Sequence, residues 1–120
     1  MSAPVLDMLF KRLFESSIVQ KRFAISWHAG EPLAVPITFY EEALRSCERY
    51  NSNGIEAKFN VQTNATLIDA KWAAFLKNNK VSIGVSIDGP AFIHDLNRPH
   101  CAGRPTFEAV MRGINFLRES

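Results

Sequence analysis

Three short segments of the chain concentrate polar side chains that could bind or react with a ligand. They lie at residues 27–33, at residues 62–67, and at residues 84–90 with an extension to Arg98. The carboxylate of Glu31, with the backbone carbonyls of its turn, suits an ammonium group, because hydrogen bonds between ionised groups are strong. Arg98 suits a carboxylate, because the planar guanidinium can bind both oxygens at once. The segments therefore contain residue types that can hold the charged groups of a small molecule.

The same residues also have purely structural explanations. Glu31 would then be a solvated residue of a strand-end turn, and Arg98 an arginine on a surface loop. Asp88 would shape the turn before a Gly-Pro pair. Asn64 would belong to a turn that caps the next helix, with Thr66 as an alternative cap. The residue types alone leave both explanations open.

Alternating strands and helices are predicted to position these segments. Strands are predicted at residues 23–28, 57–63 and 81–87, and helices at the start of the chain, at residues 36–50 and 68–78, and at the end of the chain. Strands that alternate with helices of this length indicate parallel βαβ units. A long loop is expected at residues 88–105, followed by Thr106 as the cap of the last helix.

Each predicted strand has one apolar face and one small or polar face, because successive side chains point to opposite sides of a strand. The polar residues gather at the C-terminal ends of the strands, where active sites of α/β barrels lie. They are His28, Gln62, Asn64, Ser86 and Asp88. Three parallel strands do not close a barrel, and the end strands would be left exposed. The predicted fold class is therefore α/β, an incomplete TIM-type parallel β/α barrel of about three βα units.

Together, in this order and spacing, the three segments resemble the radical S-adenosylmethionine (SAM) enzymes. The resemblance is to the peptide- and protein-maturing branch, which includes anaerobic sulfatase-maturating enzymes and often carries a C-terminal SPASM extension. It covers nearly the whole chain, since His94 and Asp95 also fit the family pattern. The positions of the last helix that fit are Gly103, Thr106, Phe107, Val110, Met111, Gly113 and Ile114. The resemblance implies an oxidoreductase that reductively cleaves SAM with a 4Fe–4S cluster and modifies a peptide or protein.

The resemblance also implies which side chains would bind SAM. The turn after the first strand would hold the amino group of the methionine moiety. A serine and an arginine after the third strand would lie near the SAM carboxylate and ribose, and the end of the second strand would line the cavity. An aspartate would orient SAM or a substrate peptide. The implied cofactor-binding residues are Gly30, Glu31, Pro32, Gln62, Asn64, Ser86, Asp88 and Arg98.

The sequence departs from the family pattern in two ways. Ala29 and Ala65 replace glycines, which is compatible with the pattern if neither position needs a positive φ. The family's CxxxCxxC motif, whose thiolates ligate the cluster, is absent, and neither Cys47 on a helix nor Cys101 in a loop can replace it. We therefore expect residues 1–120 to be a partial radical SAM core domain, truncated at both ends, without the CxxxCxxC segment and inactive in isolation.

Composition and charge indicate which partners to expect. The net charge is +2 and the basic residues are scattered, so neither nucleic acid nor a membrane is an expected partner. The two cysteines are expected as reduced thiols of a cytoplasmic protein. The resemblance adds a peptide or protein substrate and, for the intact enzyme, an electron donor of the flavodoxin or ferredoxin type.

Two other functions stay open from the sequence. A non-catalytic peptide-binding module would keep the fold without the cluster ligands, although exposed sheet edges argue against a stand-alone module. A metal-dependent hydrolase would use His28, Glu31, His94 and Asp95, since such sites take ligands from several strand ends. The radical SAM interpretation assigns no catalytic residue and no metal ligand within the chain.

Overall fold

The structure is a computed structural model that describes residues 1–16 and 18–120. The helices are α1 (Ala3–Glu15), α2 (Ile37–Tyr50), α3 (Ala70–Asn78), α4 (Ala91–Asn97) and α5 (Phe107–Glu119), and a short 3-10 turn covers Pro32–Ala34. The strands are β1 (Arg22–Trp27), β2 (Glu56–Thr63) and β3 (Ser82–Val85). Among the described residues, no helix has the length and apolar character needed to cross a membrane.

The strands form one parallel sheet in which β2 lies between β1 and β3. Trp27 is opposite Val61, and Val85 is opposite Thr63, so the three strands end at the same edge of the sheet. This confirms the predicted class, a partial parallel β/α barrel. The third strand is shorter than predicted and ends at Val85, which is paired with Thr63, the last residue of β2.

The apolar faces of the strands pack against the helices, as the alternation predicted. On β2, Phe59, Val61 and Thr63 are buried, whereas Lys58 and Gln62 are exposed. Because the polar side chains lie on the opposite face, the sheet has an open polar surface that continues to the carboxyl ends of the strands.

Two groups of buried side chains hold the helices to the sheet. Leu6 and Phe10 of α1 pack with α2 and with Phe59 of β2. The second group includes Tyr40 and Trp72, whose rings meet edge to face with centroids 5.5 Å apart. Such aromatic pairs contribute about 0.5–1.5 kcal/mol beyond the area they bury, so α2 and α3 are held firmly behind the strand ends.

The segment between β3 and α5 differs from the predicted loop, because it contains α4. A helix of seven residues between two prolines is too short to show a clear helical period in the sequence. Thr106 also does not cap α5 through its side chain. Instead, Asp95 Oδ1 accepts hydrogen bonds from the backbone N–H groups of Thr106 (2.8 Å) and Phe107 (2.9 Å). The cap of α5 therefore comes from α4.

The start of α3 differs in a similar way. Asp69 caps this helix, since its Oδ1 accepts a hydrogen bond from the N–H of Trp72 at 2.8 Å. Thr66, the alternative cap in the sequence, donates its hydroxyl to Asn64 Oδ1 at 2.8 Å. Short polar side chains compete for nearby backbone groups, and here the one adjacent to the helix is the cap.

Candidate functional site

The predicted site residues follow the carboxyl ends of the strands, and Glu31 is the one most tightly held there. Its Oε1 accepts hydrogen bonds from Thr63 Oγ1 (2.6 Å) and from the N–H of Leu33 (3.0 Å). Its Oε2 accepts from the N–H of Asn64 at 2.8 Å. Glu31 is therefore not a solvated turn residue. Its carboxylate joins the turn after β1 to the end of β2.

The turn that carries Glu31 needs two successive residues with positive φ. Ala29 has φ of 77° and Gly30 has φ of 62°. A residue with a Cβ is sterically strained in this conformation. Position 29 does need a positive φ, so its alanine is strained where the family has a glycine. Pro32 is buried at the start of the 3-10 turn, and its carbonyl accepts a hydrogen bond from Tyr40 Oη at 2.8 Å.

Tyr40 stays protonated in this position. Burial first, and then the charge of Glu31, raises the pKa of Tyr40 to about 12. The phenol is therefore a permanent donor to the Pro32 carbonyl, and the turn is anchored to the core across the whole neutral pH range.

The ends of β2 and β3 are joined on the open face of the sheet. Gln62 Nε2 donates to Ser86 Oγ at 3.0 Å. A Cβ on Gly84 would lie 2.1 Å from Gln62 Oε1, so the glycine leaves room for the glutamine to lie across β3. Gln62 and Gly84 border a shallow concavity of about 470 Å³ that extends to Ser26 and His28 of the first strand and its turn. A larger cavity of about 550 Å³ lies at the opposite end of the sheet, away from these polar groups.

Asn64 is engaged mainly in its own turn. Its Oδ1 accepts hydrogen bonds from both the N–H (2.9 Å) and the hydroxyl of Thr66. Ala65 next to it has φ of 60°, so the second alanine-for-glycine replacement also occupies a left-handed position. Asn64 also borders a cleft of about 330 Å³ whose other side is formed by Arg98 and Cys101.

Arg98, on the far side of that cleft, forms an ion pair with Asp88. Arg98 Nε lies 2.9 Å from Asp88 Oδ2, and both side chains are partly exposed, by 42% and 33%. An exposed pair of this kind contributes less than about 1 kcal/mol. The pair is therefore better suited to presenting charge at the cleft than to stabilising the fold.

The predicted residues thus form three pairs rather than one cluster. The pairs are Glu31 with Asn64, Gln62 with Ser86, and Asp88 with Arg98. The N–H of Ser86 donates to the Thr63 carbonyl at 2.9 Å and links the first two pairs through the backbone. In the part of the chain that the structure describes, no hydrogen bond or ion pair joins Arg98 to Glu31.

Sequence reasoning missed Thr63 as a site residue. The alternation placed it on the apolar face, where it is indeed buried, but its hydroxyl donates to Glu31 Oε1 and accepts from the N–H of Ala65 at 3.0 Å. A hydroxyl at the buried end of an apolar strand face was the available signal, because a buried hydroxyl needs hydrogen-bond partners.

The two cysteines do not fit an iron–sulfur cluster. Cys47 is buried on α2, and burial, followed by the charge of Glu48, raises its pKa to about 11. Cys101 is exposed in the loop after α4. A 4Fe–4S cluster requires several thiolates at close spacing, so the residues present cannot hold one.

A mononuclear metal site is not formed either. Over residues 1–16 and 18–120, no three His, Cys, Asp or Glu side chains come together in a way that could hold a metal ion. Of the four residues that a hydrolase would need, Glu31, His94 and Asp95 each accept a hydrogen bond from a different backbone N–H group. The hydrolase alternative therefore loses its site.

Comparison with known proteins identifies related sequences over almost the whole chain. A family model described as the radical SAM superfamily matches residues 7–120. The chain is 36% identical over 115 residues to a cysteine-type anaerobic sulfatase-maturating enzyme of Clostridium perfringens (strain 13 / Type A), which covers 96% of this chain and 30% of that protein. It is 40% identical over 94 residues to a serine-type enzyme of the same name from Bacteroides thetaiotaomicron, covering 78% of this chain and 22% of that protein.

The fold has a close counterpart among solved structures. A structure described as native anSMEcpe with bound AdoMet and Cp18Cys peptide superposes with a TM-score of 0.92 and 34% sequence identity. The match covers 99% of this chain and 33% of that chain. The chain thus spans about 30% of the length of the first curated relatives that it matches.

Proposed function

This chain belongs to the radical SAM superfamily, and on that premise we propose that it is part of the core domain of an enzyme that reductively cleaves SAM to modify a peptide or protein. Support comes from the related solved structure, which carries AdoMet and a peptide on the same fold. The relatives include cysteine-type and serine-type sulfatase-maturating enzymes. We therefore propose that the substrate is a peptide segment of another protein.

The observation that carries the proposal is the set of hydrogen-bonding groups that the strand ends leave unused. A carboxylate offers about four acceptor positions, and Glu31 uses three of them for Thr63, Leu33 and Asn64. One acceptor position on Oε2 is left. We propose that this position and the carbonyls of the turn at Gly30 hold the ammonium group of SAM, with Pro32 fixing the turn.

The negatively charged carboxylate of SAM requires hydrogen-bond donors, and these lie after β3. Ser86 Oγ accepts from Gln62, so its own proton remains for a ligand oxygen. Arg98 uses Nε for Asp88, so its two terminal nitrogens remain for a carboxylate. We propose that Ser86 and Arg98 bind the carboxylate and ribose of SAM and that Asn64 lines the cavity between them and Glu31.

The cluster ligands are proposed to lie outside these residues. Because Cys47 and Cys101 do not fit a cluster, we propose that residues 1–120 are a partial core domain and that the CxxxCxxC segment belongs to another part of a longer protein. The isolated chain would then be inactive in SAM cleavage. For the intact enzyme we also propose a flavodoxin- or ferredoxin-type electron donor and a cytoplasmic location, with no nucleic acid or membrane as partner.

A chimera tests this function directly. The matching third of the Clostridium perfringens enzyme would be replaced by this chain, so that the host supplies the missing segments. We expect the chimera to hold its cluster, as judged from the iron content and the visible absorbance, and to release 5′-deoxyadenosine from SAM. A folded chimera with a full cluster that does not cleave SAM would contradict the proposal.

Two variants of the chimera test the assigned residues. Arg98→Lys keeps the positive charge but removes the planar guanidinium that can bind both carboxylate oxygens. We expect the affinity for SAM to fall about tenfold, which is ~1.4 kcal/mol. Arg45→Lys is the matched control, because Arg45 pairs with Glu42 on the exposed side of α2. Equal affinities in the two variants would remove Arg98 from the site.

The non-catalytic peptide-binding module remains the second candidate, because the chain itself lacks cluster ligands. It predicts that the isolated chain binds an extended peptide without SAM. Titration of the Cp18Cys peptide into the isolated chain, with and without SAM, distinguishes the two functions.

A further inference from the structure

His94 is almost completely buried, with 1% of its surface exposed, and the proposed function gives it no part. It lies in the middle of α4 and packs edge-on against Phe107 of α5, with ring centroids 5.8 Å apart. Both ring nitrogens have polar neighbours, so this is not a histidine that merely fills the core.

The hydrogen bonds around the ring determine which nitrogen carries the proton. Thr106 Oγ1 donates its one proton to the carbonyl of Arg98 at 2.6 Å, so towards His94 Nε2, 3.1 Å away, it can only accept. Nε2 must therefore be the protonated nitrogen. Nδ1 is then an acceptor, and the N–H of Asp88 donates to it at 3.3 Å. In this arrangement the ring is neutral, accepting on one side and donating on the other.

The hydrogen bonds of the His94 ring connect it to the backbone of both Asp88 and Arg98, which form an ion pair. His94 contacts Asp88 directly and Arg98 through Thr106, and the N–H of Arg98 also donates to the His94 carbonyl at 2.7 Å. The ion pair is partly exposed, so its own attraction is too weak to fix its geometry. The backbone contacts around His94 must therefore set the distance between the two residues.

We propose that His94 is a positioning residue that holds Asp88 and Arg98 in place at the edge of the cleft. This inference rests on the proposed function of Arg98 as a SAM-binding group, with Asp88 as its ion-pair partner. It predicts that the acceptor at Nδ1 matters more for ligand binding than the donor at Nε2, because only Nδ1, of the two ring nitrogens, bonds directly to Asp88.

The first test needs no ligand and no variant. The ¹⁵N chemical shifts of the imidazole in the isolated 120-residue chain report which nitrogen carries the proton. We expect the Nε2–H tautomer, with Nδ1 as the unprotonated acceptor. An Nδ1–H tautomer would overturn the inference, because it could not accept from the N–H of Asp88.

Two matched variants then separate the nitrogens. His94→Asn places an oxygen near the position of Nδ1 and keeps the acceptor, whereas His94→Gln places a donor near the position of Nε2 and keeps the bond to Thr106. We expect hydrogen exchange of the Asp88 amide to accelerate about tenfold or more in His94→Gln and much less in His94→Asn. Equal exchange rates in both variants would contradict the inference, whichever way SAM behaves.

The same pair in the chimera connects the geometry to function. We expect the affinity for SAM to fall about tenfold in His94→Gln and to be retained within a small factor in His94→Asn, at comparable stability of the two variants. If the Asp88 amide responds as expected but the two SAM affinities are equal, positioning for ligand binding is overturned while the local contact is upheld. If the parent chimera does not cleave SAM at all, the proposed function fails, and the exchange data still decide the role of His94. If one variant does not fold, the tautomer of His94 in the wild-type protein still decides whether Nδ1 accepts from the N–H of Asp88.

Discussion

The carbonyl oxygen of Ala65 lies against the backbone of Gly113. A Cβ placed on Gly113 would be 2.1 Å from that oxygen. The contact brings α5 directly onto the turn after β2, so the helix supports the part of the chain that carries Asn64 and the bond to Glu31. The glycine is thus needed for a close approach of two backbones rather than for a special φ.

The contact predicts that Gly113→Ala destabilises the protein, although alanine is the better helix former. Helix propensity alone would favour alanine by about 1 kcal/mol. The clash with a backbone atom cannot be relieved by moving a side chain, and overpacking of this kind costs about 1–3 kcal/mol. Urea unfolding followed by circular dichroism measures the difference. Asn115→Ala, on an exposed position of the same helix, is the control and should be neutral or slightly stabilising.

The two alanines with positive φ predict different responses to glycine. Ala29 is exposed, so Ala29→Gly relieves the left-handed strain and should stabilise the protein by about 1 kcal/mol. Ala65 is fully buried, and removing its methyl group costs about 0.8 kcal/mol of burial, so Ala65→Gly should be close to neutral. Thermal unfolding of the two variants checks the contrast, and a larger gain at position 65 than at position 29 would contradict it.

Because Asp95 caps α5 and the side chain of Thr106 does not, we expect the cap of this helix to depend on Asp95. Asp95→Ala leaves two backbone N–H groups without their acceptor and should cost about 1–2 kcal/mol. Asp95→Asn keeps an acceptor oxygen and should cost less. Chemical denaturation distinguishes this from a cap formed by Thr106, for which both Asp95 variants would be neutral.

The architecture could be predicted because its signals are local. Alternation along β2 placed Phe59 and Val61 in the core and Gln62 on the open face, and the structure has them there. The carboxyl ends of parallel strands necessarily meet at one edge of the sheet. The predicted site residues that follow the strands therefore lie at the same edge.

The details of the site could not be predicted, because they depend on contacts between distant segments. Glu31 is held by Thr63 of β2 and by Asn64 directly after that strand, and α5 is capped by Asp95 of another helix. Neither partner is visible in the local pattern of either segment. The left-handed conformation of Ala29 is not indicated by alanine itself, and the only signal for it was the glycine that the family pattern has at this position.

The contact between α1 and α2 predicts a loss of stability in acid. Asp7 accepts hydrogen bonds from Tyr50 Oη (2.7 Å) and Ser46 Oγ (3.0 Å) and pairs with Arg49. The bond from Tyr50 is the main cause that holds the pKa of Asp7 below its ordinary value of 3.8, and desolvation opposes it. A carboxyl with a depressed pKa in the folded state stabilises the fold above its unfolded pKa, and this contribution is lost as the pH falls through the folded pKa.

We therefore expect stability to be constant in this respect above about pH 5 and to decrease below about pH 4. Asp7→Asn should lower the stability at neutral pH and weaken its dependence on pH in the acid range, because the asparagine cannot titrate. Tyr50→Phe should have the same effect in part, since it removes the main cause of the shift. Urea midpoints measured between neutral pH and pH 3 test this, and an acid transition of unchanged steepness in Asp7→Asn would show that other carboxyl groups are responsible.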